Sequence, residues 1–116
     1  MTASVKIFAH AGVVSVPVAN QNLQTSDAAF VLLKQPYLGR QALTADTGAA
    51  VASDAANAPS GTTCIRVEVA PGSIVAYEVT HANATLRDAD ASSPTLEGKQ
   101  TLAFGPGSRL SVLQIS

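Results

Sequence analysis

The groups in this 116-residue chain that could do acid–base, nucleophilic or metal chemistry are two histidines, one cysteine and eight carboxylates. His10, Cys64 and His81 stand far apart, and no pair of them has the spacing of a zinc knuckle or a metal-binding helix. Asp88 and Asp90 would share one face of an extended segment. Calcium, however, needs roughly six to eight oxygen ligands and usually a glycine turn, so a solvated turn is the simpler reading. With 11 serines some Ser, His and Asp always coexist, but the Gly-x-Ser-x-Gly elbow that presents a nucleophile is missing. Cys64 falls in an alternating run, where a cysteine behaves as a small buried or half-buried hydrophobe. Arg66, two residues along the same face, is the one cation near enough to activate it. Gly105-Pro106-Gly107 has the outline of a phosphate loop, yet proline removes a backbone donor and neither lysine nor helix follows. The expectation is a protein that is not an enzyme, with no catalytic residue, no metal site and no cofactor.

The elements that must position these side chains are strands. Val5, Ile7 and Ala9 alternate with Lys6 and Phe8, and Val14, Val16 and Val18 alternate with Ser15 and Pro17. Period 2 places each apolar set on one face of a strand, and Pro17, lacking an N–H, puts its strand on an edge or turns its nitrogen to solvent. Phe30–Leu33 is a short apolar run stopped by Pro36, which suits a strand buried on both faces. The clearest unit is 63–80: Ile65, Val67 and Val69 oppose Cys64, Arg66 and Glu68, and Val75, Tyr77 and Val79 oppose Ile74, Ala76 and Glu78. Between the two runs, Ala70-Pro71-Gly72-Ser73 fits a type II turn, which serves equally a hairpin or a corner between sheets. A strand at 101–104 and another at 109–116 close the chain; the latter is apolar on both faces, which makes it central or bulged near Val112. Seven or eight short strands between Gly/Pro turns predict an all-β fold, an antiparallel β-sandwich or jelly-roll-like arrangement. Ala42–Gly61 carries only Leu43 and Val51 as large apolar residues and reads as one long loop of about twenty residues.

Composition bounds the function. The chain is 47% apolar and 13% charged, with net charge −1 and pI near 6.0. That excludes disorder, and the length suits a single domain, 1–116, able to bury about 65% of its unfolded surface. No window of 18 apolar residues exists, so no membrane span is expected. Seven Lys and Arg residues spread singly, with two tyrosines, give no default for nucleic acid. One cysteine permits no intramolecular disulfide, and the N-terminal residues show no basic stretch followed by an apolar run, so folding in a cytoplasm is expected. Asn83-Ala84-Thr85 is then a chance sequon. With 21 Ala, 12 Val, 11 Ser and 10 Thr, small and β-branched residues must supply most of the core.

The second half, from Ile65-Arg-Val-Glu-Val-Ala-Pro-Gly through Asp90-Ala-Ser-Ser-Pro-Thr-Leu-Glu-Gly to Phe104-Gly-Pro-Gly-Ser-Arg-Leu-Ser-Val, resembles small structural proteins of tailed bacteriophages. It is similar in particular to the decoration or cement proteins on the outside of an icosahedral head. The resemblance covers about half the chain and lies in general character, that of a small, cysteine-poor, Ala/Val/Thr-rich and all-β protein. It implies a non-enzymatic virion protein, made in the host cytoplasm, binding the major capsid protein on the capsid surface as a homodimer or homotrimer. The Ala42–Gly61 excursion and the N-terminal arm would then be the reaching elements. Tyr37, Leu38, Arg40 and Val51, large groups in stretches of weak core periodicity, are the interface candidates. The alternative is a carbohydrate- or host-surface-binding module, for which Tyr37 offers an exposed aromatic face.

Overall fold

The computed structural model describes residues 2–17, 29–33 and 37–116, with backbone only at 13–17 and 29–33. The strands in chain order are β1 (Thr2–His10), β2 (Val13–Pro17), β3 (Ala29–Leu33), β4 (Gly39–Asp46) and β5 (Val51–Ala52), followed by β6 (Cys64–Val69), β7 (Ile74–Thr80), β8 (Thr95–Glu97), β9 (Lys99–Ala103) and β10 (Arg109–Gln114). One antiparallel sheet has the order β4-β1-β6-β9 and a second the order β5-β10-β7-β8. β2 and β3 form a ribbon that, among the described residues, pairs with neither sheet.

The alternation in the sequence explains the layering. Val5, Ile7 and Ala9 of β1, Leu43 and Ala45 of β4, and Ile65, Val67 and Val69 of β6 are buried on the inner face of the first sheet. They join Val75, Leu96, Leu110 and Val112 of the second sheet in one core, closed by Ala58 and Phe104. This is the packing of a β-sandwich: two half-apolar sheets hide their inner faces against each other. β10 lies between β5 and β7, as its two-sided apolar pattern suggested. The 70–73 turn is a corner and not a hairpin, since β6 and β7 belong to different sheets. Ser73 N–H donates to Ala70 C=O at 3.1 Å, and Gly72 supplies φ +81° for the type II geometry.

Two expectations are corrected. The N-terminal segment is not an arm: as β1 it is an inner strand of the first sheet, pairing on one side with β4 and on the other with β6. Nor is 42–61 one long loop. Its first five residues complete β4, where Leu43 and Ala45 face the core, and Val51–Ala52 cross to the second sheet as β5. A 3₁₀ turn at Ala55–Asn57 follows, with Asp54 Oδ1 accepting from Ala56 N–H at 3.0 Å. Gln41 Oε1 ties that turn to β4, accepting from Asp54 N–H and from Asn57 Nδ2, both at 2.8 Å. The approach is so close that a Cβ on Gly39 would stand 2.5 Å from the Asn57 carbonyl oxygen. Alanine-rich composition hid this order because the groups that impose it, Gly39 and Gln41, precede the segment. The strands at 13–18 and 30–33 are present as β2 and β3, while Val18 lies outside the described residues.

Candidate binding face

The two outer faces of the sandwich differ. Over the second sheet the chain folds back on itself: residues 81–94 run across β7 and β10. Arg87 N–H donates to Thr80 Oγ1 at 2.9 Å, Ala89 N–H to Ser111 Oγ at 2.9 Å, and Tyr77 N–H to Pro94 C=O at 2.9 Å. Ala89, Ala76 and Ser111 are buried as a result, and Arg87 Nη1 stands 3.8 Å from Glu78 Oε1. Asp88 and Asp90 lie exposed in this cover. The Asp90 carboxylate accepts from Ser92 Oγ at 2.6 Å and Ser92 N–H at 2.8 Å, and these bonds hold its pKa below the ordinary value. The stretch is an exposed turn, in line with the solvated-turn reading, and side-chain hydrogen bonds close it.

No described segment crosses the outer face of the first sheet. Its composition follows from strand parity and register. Positions opposite one another in antiparallel strands share a face. Because Val5, Ile7, Ile65 and Val67 point inward, Lys6, Phe8, Arg66 and Glu68 point outward. Register then lines up Ala42, Lys6, Glu68 and Lys99 in one row and Arg40, Phe8, Arg66 and Thr101 in the next. Strands about 4.8 Å apart, with same-face residues about 6.8 Å apart along them, put these rows within a field about 15 Å wide. Four of the chain's seven cations and one of its eight carboxylates occupy it, a local charge of +3 on a molecule of net −1.

Glu68 is shared: its carboxylate lies 3.5 Å from Arg66 Nε and 4.0 Å from Lys99 Nζ. Among the described residues Lys6 and Arg40 have no carboxylate at salt-bridge distance. Arg40 Nη1 instead donates to Tyr37 Oη at 3.4 Å, and the Tyr37 ring sits 5.4 Å from Phe8, tilted by 58°. Shallow depressions lined by the described residues mark the face. One of 510 Å³ lies between Lys6, Glu68, Pro71 and Lys99, and one of 370 Å³ between Lys6, Phe8, Arg40 and Ala42. A third, of 200 Å³, is lined by Phe8, His10, Tyr37, Arg66 and Glu68.

The chemistry-bearing residues singled out in the sequence do not converge. His10 and Cys64 are paired positions of β1 and β6, both buried, while His81 is exposed in the cover of the second sheet. Burial raises the Cys64 thiol pKa, and a hydrogen bond from the Thr63 side chain only partly opposes it; Arg66, the candidate activator, is engaged by Glu68. Among the described residues no group of three or more His, Cys, Asp or Glu could hold a metal ion, and no helix is long and apolar enough to cross a membrane.

Of the interface candidates, Tyr37 and Arg40 meet at one end of the outer face beside Phe8, while Leu38 reaches toward Gly61; Tyr37 is 40% and Leu38 41% exposed. Val51 is elsewhere: it is half-buried in β5, opposite Val112, packed against the core. Lys6, Phe8, Glu68 and Lys99 were not singled out from the sequence. The polar half of the alternation in β1 and β6 contained the signal, but only pairing shows that these halves adjoin. In comparisons with known proteins, the chain matches no family model, no curated protein and no solved structure.

Proposed function

We propose that this protein is a non-enzymatic virion component that binds the major capsid protein on the outside of a phage head, as a decoration or cement protein acting as a homo-oligomer. The observation that carries this reading is the β2–β3 ribbon. It is inserted between β1 and β4, which are themselves paired neighbours, and among the described residues it hydrogen-bonds to neither sheet. A two-stranded ribbon is marginal in water by itself and has two open edges, so a partner that adds a strand or covers a face stabilises it. A small sandwich with such an arm suits a lattice-binding protein: the body stays folded while the arm reaches a neighbour.

The test exploits the closeness of the arm's two ends. Leu38 N–H donates to Ala9 C=O at 2.7 Å, so a short glycine–serine link from Ala11 to Tyr37 can replace the arm without disturbing the sandwich. The full chain should sediment with undecorated heads to a saturating ratio and run as a dimer or trimer, and the shortened chain should do neither. Failure of the full chain to sediment with heads overturns the reading.

A second reading, a carbohydrate- or host-surface-binding module, is favoured by a different observation: the Tyr37–Phe8 aromatic pair on the outer face of the first sheet, beside Arg40.

A further inference from the structure

The outer face of the first sheet has three ingredients together: two cations, Lys6 and Arg40, with no carboxylate at salt-bridge distance among the described residues, an aromatic surface, and one carboxylate, Glu68, shared by the other two cations. We propose that this face binds a carboxylate-bearing polysaccharide, with a uronate-type carboxylate held between Lys6 and Arg40 and the sugar ring laid against Tyr37. This rests on the carbohydrate-binding reading and names its ligand class and subsite.

Lys6 and Arg40 line the same 370 Å³ depression, and Ala42, between them on β4, leaves its floor open. Among the described residues neither cation is neutralised by a carboxylate, whereas Arg66 and Lys99 already share Glu68. An anion entering the depression therefore gains charge-assisted hydrogen bonds without displacing an existing ion pair. Arg40 also donates to Tyr37 Oη, which fixes the tyrosine ring beside the anion subsite, with Phe8 supporting it. A fixed aromatic face suits the C–H face of a pyranose, and Glu68, which lines both flanking depressions, offers acceptors to sugar hydroxyls.

The same features select against other polyanions. A phosphodiester chain crossing the face would run over the Glu68 carboxylate and find one tilted aromatic pair in place of a series of stacking platforms. A run of acidic residues alone would use the cations but brings no ring to Tyr37. Carboxylates on a sugar backbone satisfy both halves of the face.

The test is titration calorimetry at low and moderate salt with polygalacturonate oligomers, the fully methyl-esterified form of the same oligomers, poly-L-glutamate and oligo-dT. The expected result is binding to polygalacturonate that methyl esterification abolishes and that neither poly-L-glutamate nor oligo-dT matches. Lys6→Ala, Arg40→Ala and Tyr37→Ala should each weaken it by about tenfold, the loss expected for one charge-assisted contact or one stacked ring. Arg87→Ala, on the covered sheet, should leave it unchanged, and thermal melts should show every variant folded. Equal binding of the esterified oligomer overturns the carboxylate subsite while leaving the carbohydrate reading in place. Equal binding of poly-L-glutamate or oligo-dT overturns the sugar specificity, and binding to none of the four overturns the inference altogether.

Discussion

At the scale of single residues, burial decides chemistry more than residue type does. Cys64 is 7% exposed, and desolvation raises its pKa above the ordinary thiol value. The folded state therefore holds this proton more tightly than the unfolded chain. Its contribution to stability is complete below the unfolded thiol pKa, about 8.5, and is lost as pH rises through the window between the unfolded and folded values. Urea melts between pH 8 and 10 should show the midpoint falling, and Cys64→Ala should lessen the fall. A thiol reagent should label Cys64 slowly in buffer and rapidly in denaturant. The alternation around Ile65 and Val67 made Cys64's small-hydrophobe role legible. It also placed Cys64 on the outward parity, where both Cys64 and its cross-strand partner His10 are nonetheless buried.

Among the elements, the cover over the second sheet shows how a segment without regular structure is held. Its anchors are hydroxyls on strands: Ser111 Oγ on β10 and Thr80 Oγ1 on β7 accept from Ala89 and Arg87 N–H. Ser111→Ala should leave the buried Ala89 N–H without its acceptor and cost about 1–3 kcal/mol. Amide exchange at Ala89 should accelerate more than exchange in β6, where the ladder is untouched. Uniform acceleration across both sheets would mean that the cover and the sandwich open together. These two anchors were not visible in the composition of 81–94, because each joins a loop amide to a hydroxyl on a separate strand. β1, by contrast, announced itself through strict alternation over Val5, Ile7 and Ala9, as did β6.

For the molecule as a whole, a core made chiefly of Val, Ile, Leu and Ala spreads its stability over many small contacts. Ile65 is among the largest fully buried side chains and faces the second sheet from the middle of the first. Ile65→Ala should cost about 2–5 kcal/mol, the usual range for a large-to-small change in a packed interior, and lower the melting temperature in one cooperative transition. Two separate transitions would show that the sheets unfold independently. The asymmetry of the two outer faces also belongs to this scale. One is covered by the chain's own 81–94 segment and the other presents four cations, although the net charge of −1 gives no hint of a basic surface.

The sequence by itself determined the class of fold and the inward parity of β1, β6 and β7, because two-residue periodicity is a local property that survives without knowledge of neighbours. It also determined the turn at Pro71-Gly72, whose conformation is set by the backbone freedom of two residues. Tertiary structure alone decided that this turn is a corner between sheets, that 42–61 contains the end of β4 and the crossing strand β5, and that the singly spread Lys6, Arg40, Arg66 and Lys99 meet on one face. The reason is common to all three. Each depends on which strands pair and in what register, a choice made by long-range burial of apolar surface, and a single strand's pattern does not encode its partner.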